Sequence, residues 1–466
     1  MNDAKHKKDV AHIASQVREF FNHKRPFRIF HGSTNSTRIL SFKRNKMLDM
    51  SGFDRVLSVN KSKQTAIVEP NVPMDALVNH TLKHGLLPPV VMEFPGITVG
   101  GGIQGGAGES SSYKWGCFNQ TFNWYEMVLA DGKVMKVSPT NNADLFYGTA
   151  GSYGTLGVMT AGEIQLIPAR KYVRLTYIPV DSFETSVKML DKVIAENHDF
   201  IDGIMFARDR GVIIVGDMTD EATGHIQRFS RARDQWFYLH AQDMMQDQPT
   251  VETVPITDYL FRYDRGAFWV GRFAFELFNV AFTRFNRWLL NPILHTRKLY
   301  QALQESGASQ QHVVQDLALP RGKAVKFMEF VDSTLDVYPL WLCPLRPDNQ
   351  SPLQSNNLDT QMVINVGVWG SHIESYDEFL AANRSIEKQL KKLGGKKWFY
   401  AHSYYSEREF WNIYDKPAYD TLRAKYHATS LPTIFDKIRV TERSPINVKR
   451  GLFKTIFGRA KLKIRD

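Results

Sequence analysis

The chain of 466 residues has only two cysteines, Cys117 and Cys343. Two thiols so far apart in sequence provide no disulfide framework and lack the spacing of a metal site, which is typical of a reducing compartment. Long apolar runs are also missing, and residues 1–25 are too polar for a signal peptide or a membrane anchor. We therefore expect no metal centre and no transmembrane anchor.

Acidic residues are scarce relative to basic ones, and the formal net charge is +11. Ten lysines and arginines but only two carboxylates fall within residues 437–466, so we expect a basic tail over 436–466. On a helix its apolar residues would share one face, which is typical of a segment that lies on an anionic membrane; a solvated terminus is the alternative. No recognised nucleic-acid-binding module accompanies the basic residues, so we expect no nucleic-acid partner. The apolar residues are Leu452, Ile456, Phe457 and Ala460.

Glycine, in contrast, is concentrated in one stretch, with seven glycines between Gly96 and Gly108 followed by three serines. Such a stretch is neither helix-like nor strand-like, and it lets backbone N–H groups converge on an anion such as a pyrophosphate. Gly100, Gly102 and Gly105 form a G-x-G-x-x-G, but a Pro-Gly turn precedes it and more glycine and serine follow. The Rossmann interpretation therefore fails, and we expect a looped phosphate cradle of another kind.

Two further loops of small residues, 31–37 and 151–157, accompany this stretch within an α+β pattern over residues 23–175. Apolar runs on either side of Asp131-Gly132 predict a hairpin over 124–137. A helix is expected over 72–85, and residues 1–22 form a polar, helical lead-in.

From residue 176 to 435 the pattern changes to longer strands and helices, which predicts a second domain, the cap, that covers the first. Within it, residues 266–299 repeat phenylalanine at three- and four-residue steps. This spacing predicts an amphipathic helix, either packed in the core or facing lipid at a substrate entrance. Residues 407–426 are expected to be helical and to return toward the first domain. The other elements expected in the cap are strands over 172–179, 203–206, 212–217, 362–368 and 398–405 and helices over 183–197 and 377–393.

The three loops, in this order, resemble the FAD-binding domain of the vanillyl-alcohol oxidase / p-cresol methylhydroxylase (PCMH-type) superfamily. A further resemblance is carried by the segments Glu109–Gly116, Asn141–Tyr147, Ile167–Val173, His312–Asp316, Val337–Pro344 and Arg408–Tyr414. Over roughly residues 25–435 the chain is similar to the Δ24-sterol reductase (Diminuto/Dwarf1) branch of that superfamily, and we identify it as a member. The resemblance implies an α+β fold in which a PCMH-type FAD-binding domain is followed by an α/β cap.

The resemblance also implies which residues hold FAD. Many relatives attach the flavin through a histidine in the first loop, where this chain has Asn35, and some through a cysteine where this chain has 93–96. We therefore expect noncovalent FAD. The residues implied are Gly32, Ser33, Thr34, Asn35 and Ser36 in the first loop, Thr98, Val99, Gly100, Gly101, Gly102, Gly105, Gly106, Gly108, Glu109 and Ser110 in the second, and Gly151, Ser152, Gly154, Thr155, Gly157 and Ile164 in and after the third.

As for activity, the resemblance implies reduction of the C24–C25 double bond in the side chain of a sterol or related isoprenoid lipid, with NADPH as a transient electron donor. Such a reduction needs a hydride, a positioned acid and an apolar slot that excludes water. Glu109, Tyr405 and Glu407 are the main candidates for the acid, with Glu409 and His312 as further ones. Lys114 is a candidate for stabilising the reduced flavin.

Two alternatives stay open on the sequence alone. One is a flavin oxidase or dehydrogenase of a hydroxylated lipid or sugar, since one fold supports many reactions. The other is a non-catalytic, flavin-containing scaffold at a membrane surface. Animal and plant relatives carry an N-terminal membrane anchor that is not seen here, so the expected location is the cytosol or the cytoplasmic face of a membrane, in a eukaryote the endoplasmic reticulum.

Overall fold

The computed structural model describes residues 2–373, 375–440, 443, 445–447, 451, 453–455, 458 and 462–465. Its strands are, in chain order, β1 (Arg28–Phe30), β2 (Ser41–Lys43), β3 (Met47–Asp49), β4 (Val56–Asn60), β5 (Thr65–Val68), β6 (Leu86–Leu87), β7 (Phe122–Val128), β8 (Val134–Val137), β9 (Val158–Gln165), β10 (Ile167–Pro168), β11 (Tyr172–Val180), β12 (Phe200–Ala207), β13 (Arg210–Thr219), β14 (Thr250–Pro255), β15 (His312–Pro320), β16 (Leu340–Leu345), β17 (Val363–His372), β18 (Lys396–Lys397) and β19 (Lys463–Arg465).

The α-helices alternate with these strands, and short 3-10 turns connect some of them. They are α1 (Asn2–Asn22), α2 (Met74–Leu82), α3 (Val99–Gly105), α4 (Ser112–Trp115), α5 (Ala143–Thr149), α6 (Phe183–Ala195), α7 (Phe237–Asp243), α8 (Ile256–Leu260), α9 (Gly271–Leu277), α10 (Arg284–Leu289), α11 (Thr296–Ser306), α12 (Ala324–Leu335), α13 (Tyr376–Lys392), α14 (Glu407–Trp411), α15 (Lys416–Lys425) and α16 (Ile434–Ile438). Among the described residues, no helix combines the length and apolar character that crossing a bilayer requires.

The first domain is built on a five-stranded antiparallel sheet in the order β4-β5-β9-β7-β8. The hairpin predicted around Asp131-Gly132 is confirmed as β7 and β8. Helix α1, the predicted lead-in, packs on this domain through buried Ile13 and Val17. Its His6 lies 2.7 Å from the buried carboxylate of Glu69, so the helix is held by a polar contact as well.

The cap is built on an eight-stranded antiparallel sheet in the order β14-β11-β13-β12-β16-β17-β15-β18. Side chains alternate between its two faces, as the pleat of a strand requires. On β16, Leu340 and Leu342 pack with α6, α12 and α13, whereas Trp341 and Cys343 join a core rich in aromatic rings on the opposite face. This aromatic face lines the space in which the candidate site lies.

The helices α14 to α16 leave the cap and pack on the first domain. Phe410, Tyr419 and Phe435 belong to the same buried core as Met127 of β7. The hydroxyl of Tyr419 donates a 2.7 Å hydrogen bond to the hydroxyl of Thr155. The chain therefore crosses from the first domain to the cap and back again.

The glycine-rich stretch contains a helix, α3, so the expectation of a purely looped segment was wrong there. The Thr98 hydroxyl accepts a 3.2 Å hydrogen bond from the Gly101 N–H and caps the helix. Glycine serves close packing: a Cβ on Gly100 would lie 2.8 Å from Pro70, and one on Gly102 would lie 2.6 Å from Met92. The sequence pattern could not reveal this, because glycine weakens an isolated helix but permits such close contacts.

The single amphipathic helix predicted over 266–299 is also wrong. The segment forms two short helices, α9 and α10, before α11 begins at Thr296. Ala267, Phe268 and Asn279 adopt positive φ, which a continuous right-handed helix excludes. The phenylalanine spacing thus reflects packing of several short elements.

The strand predicted over 398–405 is likewise absent; only the two-residue β18 precedes it. The first residue of this segment, Trp398, still donates a 3.1 Å backbone hydrogen bond to Asp316 of β15, but beyond it the backbone bonds to the first domain. The carbonyl of Tyr400 accepts a 3.1 Å hydrogen bond from the Thr37 N–H and a 2.7 Å hydrogen bond from the Ser36 hydroxyl. This segment therefore connects the cap to the first loop.

The apolar face predicted for the basic tail, Leu452, Ile456, Phe457 and Ala460, lies outside the described residues. Described parts of the tail pack on the body of the protein. Lys454 Nζ lies 2.9 Å from the carboxylate of Glu305, and β19 pairs in parallel with β2.

A buried ion pair in the cap gives a test of this packing. Lys397 Nζ lies 3.1 Å from Glu387 Oε1, both side chains are almost fully buried, and Nζ also donates to the His402 carbonyl. Glu387→Gln leaves the ammonium without its counter-charge, so the free energy of unfolding should fall by about 3 kcal/mol. Denaturant unfolding followed by tryptophan fluorescence measures this loss. Glu221→Gln, at an exposed loop position, is the matched control and should change little; an equal loss in both variants would contradict the account.

Candidate functional site

A cavity of ≈ 700 Å³ lies between the first domain and the aromatic face of the cap sheet. Its volume is within the range of roughly 300–1,000 Å³ that is typical of ligand and cofactor sites. All three small-residue loops contribute to its wall, through residues 33–38, parts of 98–108, and 153–154. A neighbouring cavity of ≈ 440 Å³ shares His31, residues 33–35 and Thr98 with it and is also lined by Gly32.

The first loop presents unpaired backbone donors to this space. The N–H groups of residues 32–35 have no hydrogen-bond acceptor among the described residues. Ser36 and Thr37, by contrast, are fixed, because the Ser36 N–H donates to the Thr34 hydroxyl and Thr37 bonds to Tyr400. Successive free N–H groups on a loop held at one end form a binding site for an anion such as a pyrophosphate.

The second loop leaves room beside these donors. Gly105 lines the cavity, and a Cβ built on it would meet no atom within 4 Å. Its φ is not positive, so neither backbone conformation nor protein packing requires glycine at this position. Because Gly105 has no side chain, a bound group has room to approach the backbone closely at this position.

Three basic side chains line the same cavity, Arg28, Arg38 and Lys437. Within the described part of the chain none of them forms a salt bridge; Arg38 donates a 2.7 Å hydrogen bond to the Lys437 carbonyl, and Lys437 donates to the Tyr153 carbonyl. Burial and the two arginines lower the pKa of Lys437 to about 7. Cations that form no salt bridge within the protein favour an anionic ligand, and the two phosphates of FAD would supply that charge.

Beyond the loops the cavity is apolar. Its wall there comes from the cap sheet and from the segment that contains α9, α10 and α11. Phe268 is central to this wall: its ring centroid lies 4.2 Å from that of Trp369 and 5.3 Å from that of Trp341. The remaining wall includes Phe273, Phe275, Leu277, Phe278, Val280, Leu290, Ile293, Leu294 and Leu299.

One carboxyl group, Glu93, lines the cavity from the first domain. Its Oε1 is buried and has no hydrogen-bond partner among the described residues. Burial, and then the charge of Glu109, raise the pKa of Glu93 well above its usual range. Both effects favour the neutral, protonated form of this carboxyl group.

A charge imbalance behind the cavity supports this assignment. Arg262 is the cation of a buried cluster that also holds the carboxyl groups of Asp202, Glu109 and Glu93. Asp202 accepts hydrogen bonds from Arg262 at 2.8 Å, Tyr263 at 2.9 Å and Trp341 at 3.1 Å. Glu109 accepts from the Ser110 hydroxyl and from the Ser111 N–H, and it also contacts the Ser111 hydroxyl, which bonds to the Pro89 carbonyl at 2.7 Å. Burial raises the pKa of Glu109 as well, but Glu109 has two protein donors and Glu93 Oε1 has none, which favours the proton on Glu93.

The cap contributes a second polar group to the cavity, made of Asp316, Asn365 and Tyr400. Asp316 accepts a 2.8 Å hydrogen bond from the Tyr400 hydroxyl and a 3.0 Å hydrogen bond from the Asn365 amide. Burial raises the pKa of Asp316 to about 6. Because the Tyr400 proton is engaged by Asp316, this hydroxyl is not free to donate elsewhere while Asp316 is ionised.

The structure places some of the predicted cofactor residues on the cavity walls and others behind them. Gly102 packs on Met92 and Phe118, Gly151 on the Leu353 backbone, and Ser152 bonds to Gln104, so these support the wall. Ile164 lies in the centre of the first sheet, paired with β5 and β7. Those on the walls are Gly32, Ser33, Thr34, Asn35, Ser36, Thr98, Gly100, Gly101, Gly105, Gly108 and Gly154; those behind are Val99, Gly102, Gly106, Glu109, Ser110, Gly151, Ser152, Thr155, Gly157 and Ile164.

None of the four main catalytic candidates, Glu109, Tyr405, Glu407 and Lys114, lines the cavity; of the two further ones, His312 lines it and Glu409 does not. Glu407 is exposed at the start of α14, and Tyr405 is buried in the core that joins this region to the first domain. Lys114 lies 3.6 Å from Asp199. Glu109 lies in the buried cluster directly behind Glu93, so it is the one of the four whose charge acts on the cavity.

Sequence reasoning missed Glu93, Tyr400, Asp316 and the three cations. Glu93 stands just before the glycine stretch, between an apolar run and a Pro-Gly turn. A carboxyl group in such apolar surroundings is the feature that could have identified it. Asp316 ends the His312–Asp316 segment, which was singled out for its resemblance alone. Lys437 had no signal of its own, since one lysine in a basic tail is indistinguishable from the rest.

Comparison with known proteins agrees with this geometry. A family model described as an FAD binding domain matches residues 6–138, a range that includes most of α1 and the first two loops. The chain is 31% identical to the Delta(24)-sterol reductase of Homo sapiens over 444 residues, covering 93% of this chain and 86% of that protein. It is 28% identical to a Delta(24)-sterol reductase homolog of Caenorhabditis elegans over 467 residues, covering 93% and 87%. It is 32% identical to the Delta(24)-sterol reductase of Arabidopsis thaliana over 417 residues, covering 82% and 74%. With this identity along nearly its whole length, the chain belongs to the Δ24-sterol reductase branch of the proteins that carry a PCMH-type FAD-binding domain.

Proposed function

We propose that the protein reduces the C24–C25 double bond in the side chain of a sterol or related isoprenoid lipid, with NADPH as the electron donor. It is an FAD-dependent oxidoreductase of a family that acts on carbon–carbon double bonds. The observation that carries the proposal is the cavity itself, in which phosphate-binding loops, a neutral carboxyl group and a wide apolar wall border one space. A sugar or another polar substrate would leave this apolar wall without a partner.

The chain's own part in the reaction is to exclude water and to deliver a proton. When bound, FAD supplies the hydride after taking up two electrons from NADPH. The Glu93 carboxyl gives its proton to the less substituted alkene carbon, and the tertiary carbon, which then carries the positive charge, takes the hydride. Two hydrogens are thus added across the double bond, and Glu93 recovers its proton from solvent before the next turnover.

The cluster around Arg262 is proposed to prepare Glu93 for this role. The negative charge of Glu109, held by Ser110 and Ser111, favours the protonated form of Glu93 in the resting state. Arg262 carries the compensating positive charge, which stabilises the Glu93 carboxylate once its proton has left. The apolar wall keeps water from competing for the proton.

FAD is proposed to bind noncovalently. Asn35 lines the cavity at the loop position where relatives have an attached histidine, and neither Cys117 nor Cys343 lines it. No second dinucleotide-binding domain is recognised in the described residues, so NADPH is proposed to enter the same cavity, leave, and be replaced by the lipid.

The tail over 436–466 is proposed to add peripheral membrane contact through its basic residues.

An anaerobic experiment with the purified flavoprotein tests the function. NADPH is added first, then a Δ24 sterol such as desmosterol, and flavin absorbance is followed together with product mass. We expect reduction by NADPH, reoxidation by the sterol and a product heavier by two hydrogens. Reduction without reoxidation would contradict the sterol assignment, and no reduction by NADPH would favour the oxidase alternative.

Glu93→Gln tests the proton donor. The variant should keep its FAD and its reduction by NADPH, while sterol-dependent reoxidation slows by about 10²–10⁴-fold because the acid is missing. In the native protein that rate should be constant at low pH and fall above the raised pKa of Glu93; in the variant this dependence should disappear. Stopped-flow absorbance measures both half-reactions. Glu221→Gln is the exposed control, and a variant of Glu93 with native reoxidation rates would contradict the role.

Gly105→Leu tests the place of FAD in the cavity. A Cβ at this position meets no protein atom within 4 Å and the residue lines the cavity, so stability should be retained while FAD affinity falls by at least about tenfold. Flavin fluorescence titration of the apoprotein measures affinity, and thermal unfolding of the apoprotein checks the fold. Gly322→Leu, also at a glycine with no atom within 4 Å but away from the cavity, should bind FAD normally. Equal affinity in the two variants would place FAD elsewhere.

A further inference from the structure

An exposed apolar surface lies at one end of the α9–α10 segment. Leu277 is 36% exposed, Phe285 64%, Trp288 48% and Leu289 56%. The last three stand at positions i, i+3 and i+4 of α10, so they share one face of the helix. The rings of Phe285 and Trp288 lie together, 5.7 Å apart. We call these four residues the α10 surface.

The α10 surface is held outward by contacts on its other side. Thr283 caps α10 by accepting a 3.1 Å hydrogen bond from the Asn286 N–H. Phe282, just before the helix, packs its ring against Trp236 and Phe275 at 5.4 and 5.0 Å. Because Phe282 anchors the segment in the core, the exposed face of α10 cannot turn inward without losing that packing.

The chain leads from the α10 surface directly into the apolar part of the cavity. Leu277, on α9, is exposed and also lines the cavity wall. Leu290 and Ile293, which follow the exposed Leu289 directly, line the cavity as well. An apolar path therefore leads from the surface of the protein to the candidate site.

The charges around this surface are mainly positive. Between residues 272 and 300 there are five lysines and arginines and one carboxylate, Glu276, which is engaged by Arg272 at 3.1 Å. Arg297 is paired with Asp75 at 2.7 Å, so the excess positive charge comes from Arg284, Arg287 and Lys298. Arg284 lies beside the exposed Arg233, whose carbonyl it contacts at 3.4 Å. Arg287 lies over the Phe282 ring, 4.7 Å from its centroid. Exposed aromatic rings bordered by arginines are typical of a surface that sits in the headgroup region of an anionic bilayer.

We propose that the α10 surface docks on a lipid bilayer that contains anionic headgroups and opens the cavity to lipids resident in it. Phe285, Trp288 and Leu289 enter the interface, and the arginines contact the phosphates. The entry of a lipid substrate rests on the proposed function; the docking itself does not. A bilayer is favoured over a protein partner because the surface leads into a cavity with apolar walls and carries an excess of positive charge.

The test uses the full chain with FAD bound and flotation with vesicles of phosphatidylcholine, with and without phosphatidylserine. In the variant Phe285→Ser/Trp288→Ser/Leu289→Ser the fraction bound to both kinds of vesicle should fall by at least about tenfold. Arg284→Gln/Arg287→Gln should weaken binding only to vesicles that contain phosphatidylserine, and the difference should vanish at high salt. Val251→Ser, at a 57% exposed apolar position on β14, and Lys61→Gln/Lys63→Gln are the matched controls and should bind as the native protein does.

Two further measurements separate the possible outcomes. Binding by the triple serine variant equal to that of the native protein would overturn the proposal and assign the contact to the tail. The proposal would also be overturned if the native protein were a dimer, the variant a monomer, and neither bound vesicles. The α10 surface would then be a contact between proteins. If the triple variant retains turnover of sterol in detergent but loses turnover of sterol in vesicles, entry through this surface is supported. If the triple variant loses vesicle binding but even the native protein does not turn over sterol, docking is supported and the proposed function is rejected.

Discussion

The buried charge cluster around Arg262 is the interaction on which the rest of the site depends. It brings a cation and Asp202 of the cap against Glu93 and Glu109 of the first domain, with hydrogen bonds from Tyr263 and Trp341. Burying charge is costly unless each group is compensated, and here one cation faces three carboxyl groups. A proton on Glu93, the member of the cluster that lines the cavity, would resolve the imbalance, and it is the proton that the proposed function uses. Domain docking and the proposed proton supply would then depend on the same cluster.

The same cavity combines two environments that the chain builds from different parts of its sequence. The first domain supplies free N–H groups, a glycine with open space beside it and nearby cations, all of which suit phosphates. The cap supplies the aromatic wall centred on Phe268, whose ring stacks on Tyr263 at 3.8 Å and so links the wall to the charge cluster. A cofactor with two phosphates and a lipid substrate can then meet at the boundary between the two environments.

The family, the α+β class and most of the regular elements could be predicted from sequence, because strands bounded by turn residues and three loops in a fixed order are local signals. Helix α3 could not, because its glycines are explained by contacts with Pro70 and Met92, which are distant in sequence. The exclusion of Tyr405 and Glu407 from the cavity wall, and the presence of Glu93 there, depend on how the cap returns to the first domain. Likewise, the breaks at Phe268 and Asn279 come from tertiary packing that a helical spacing of phenylalanines does not encode.

The most direct test of this account is an experimental structure of the protein with FAD and a saturated sterol, the product of the proposed reaction, bound together. The account predicts that the flavin lies against the 98–108 segment and that the sterol fills the apolar part of the cavity. It also predicts that the Glu93 carboxyl group contacts the end of the sterol side chain beside the flavin. A sterol bound outside this cavity, or a Glu93 carboxyl group separated from it by the flavin or by another side chain, would contradict the account.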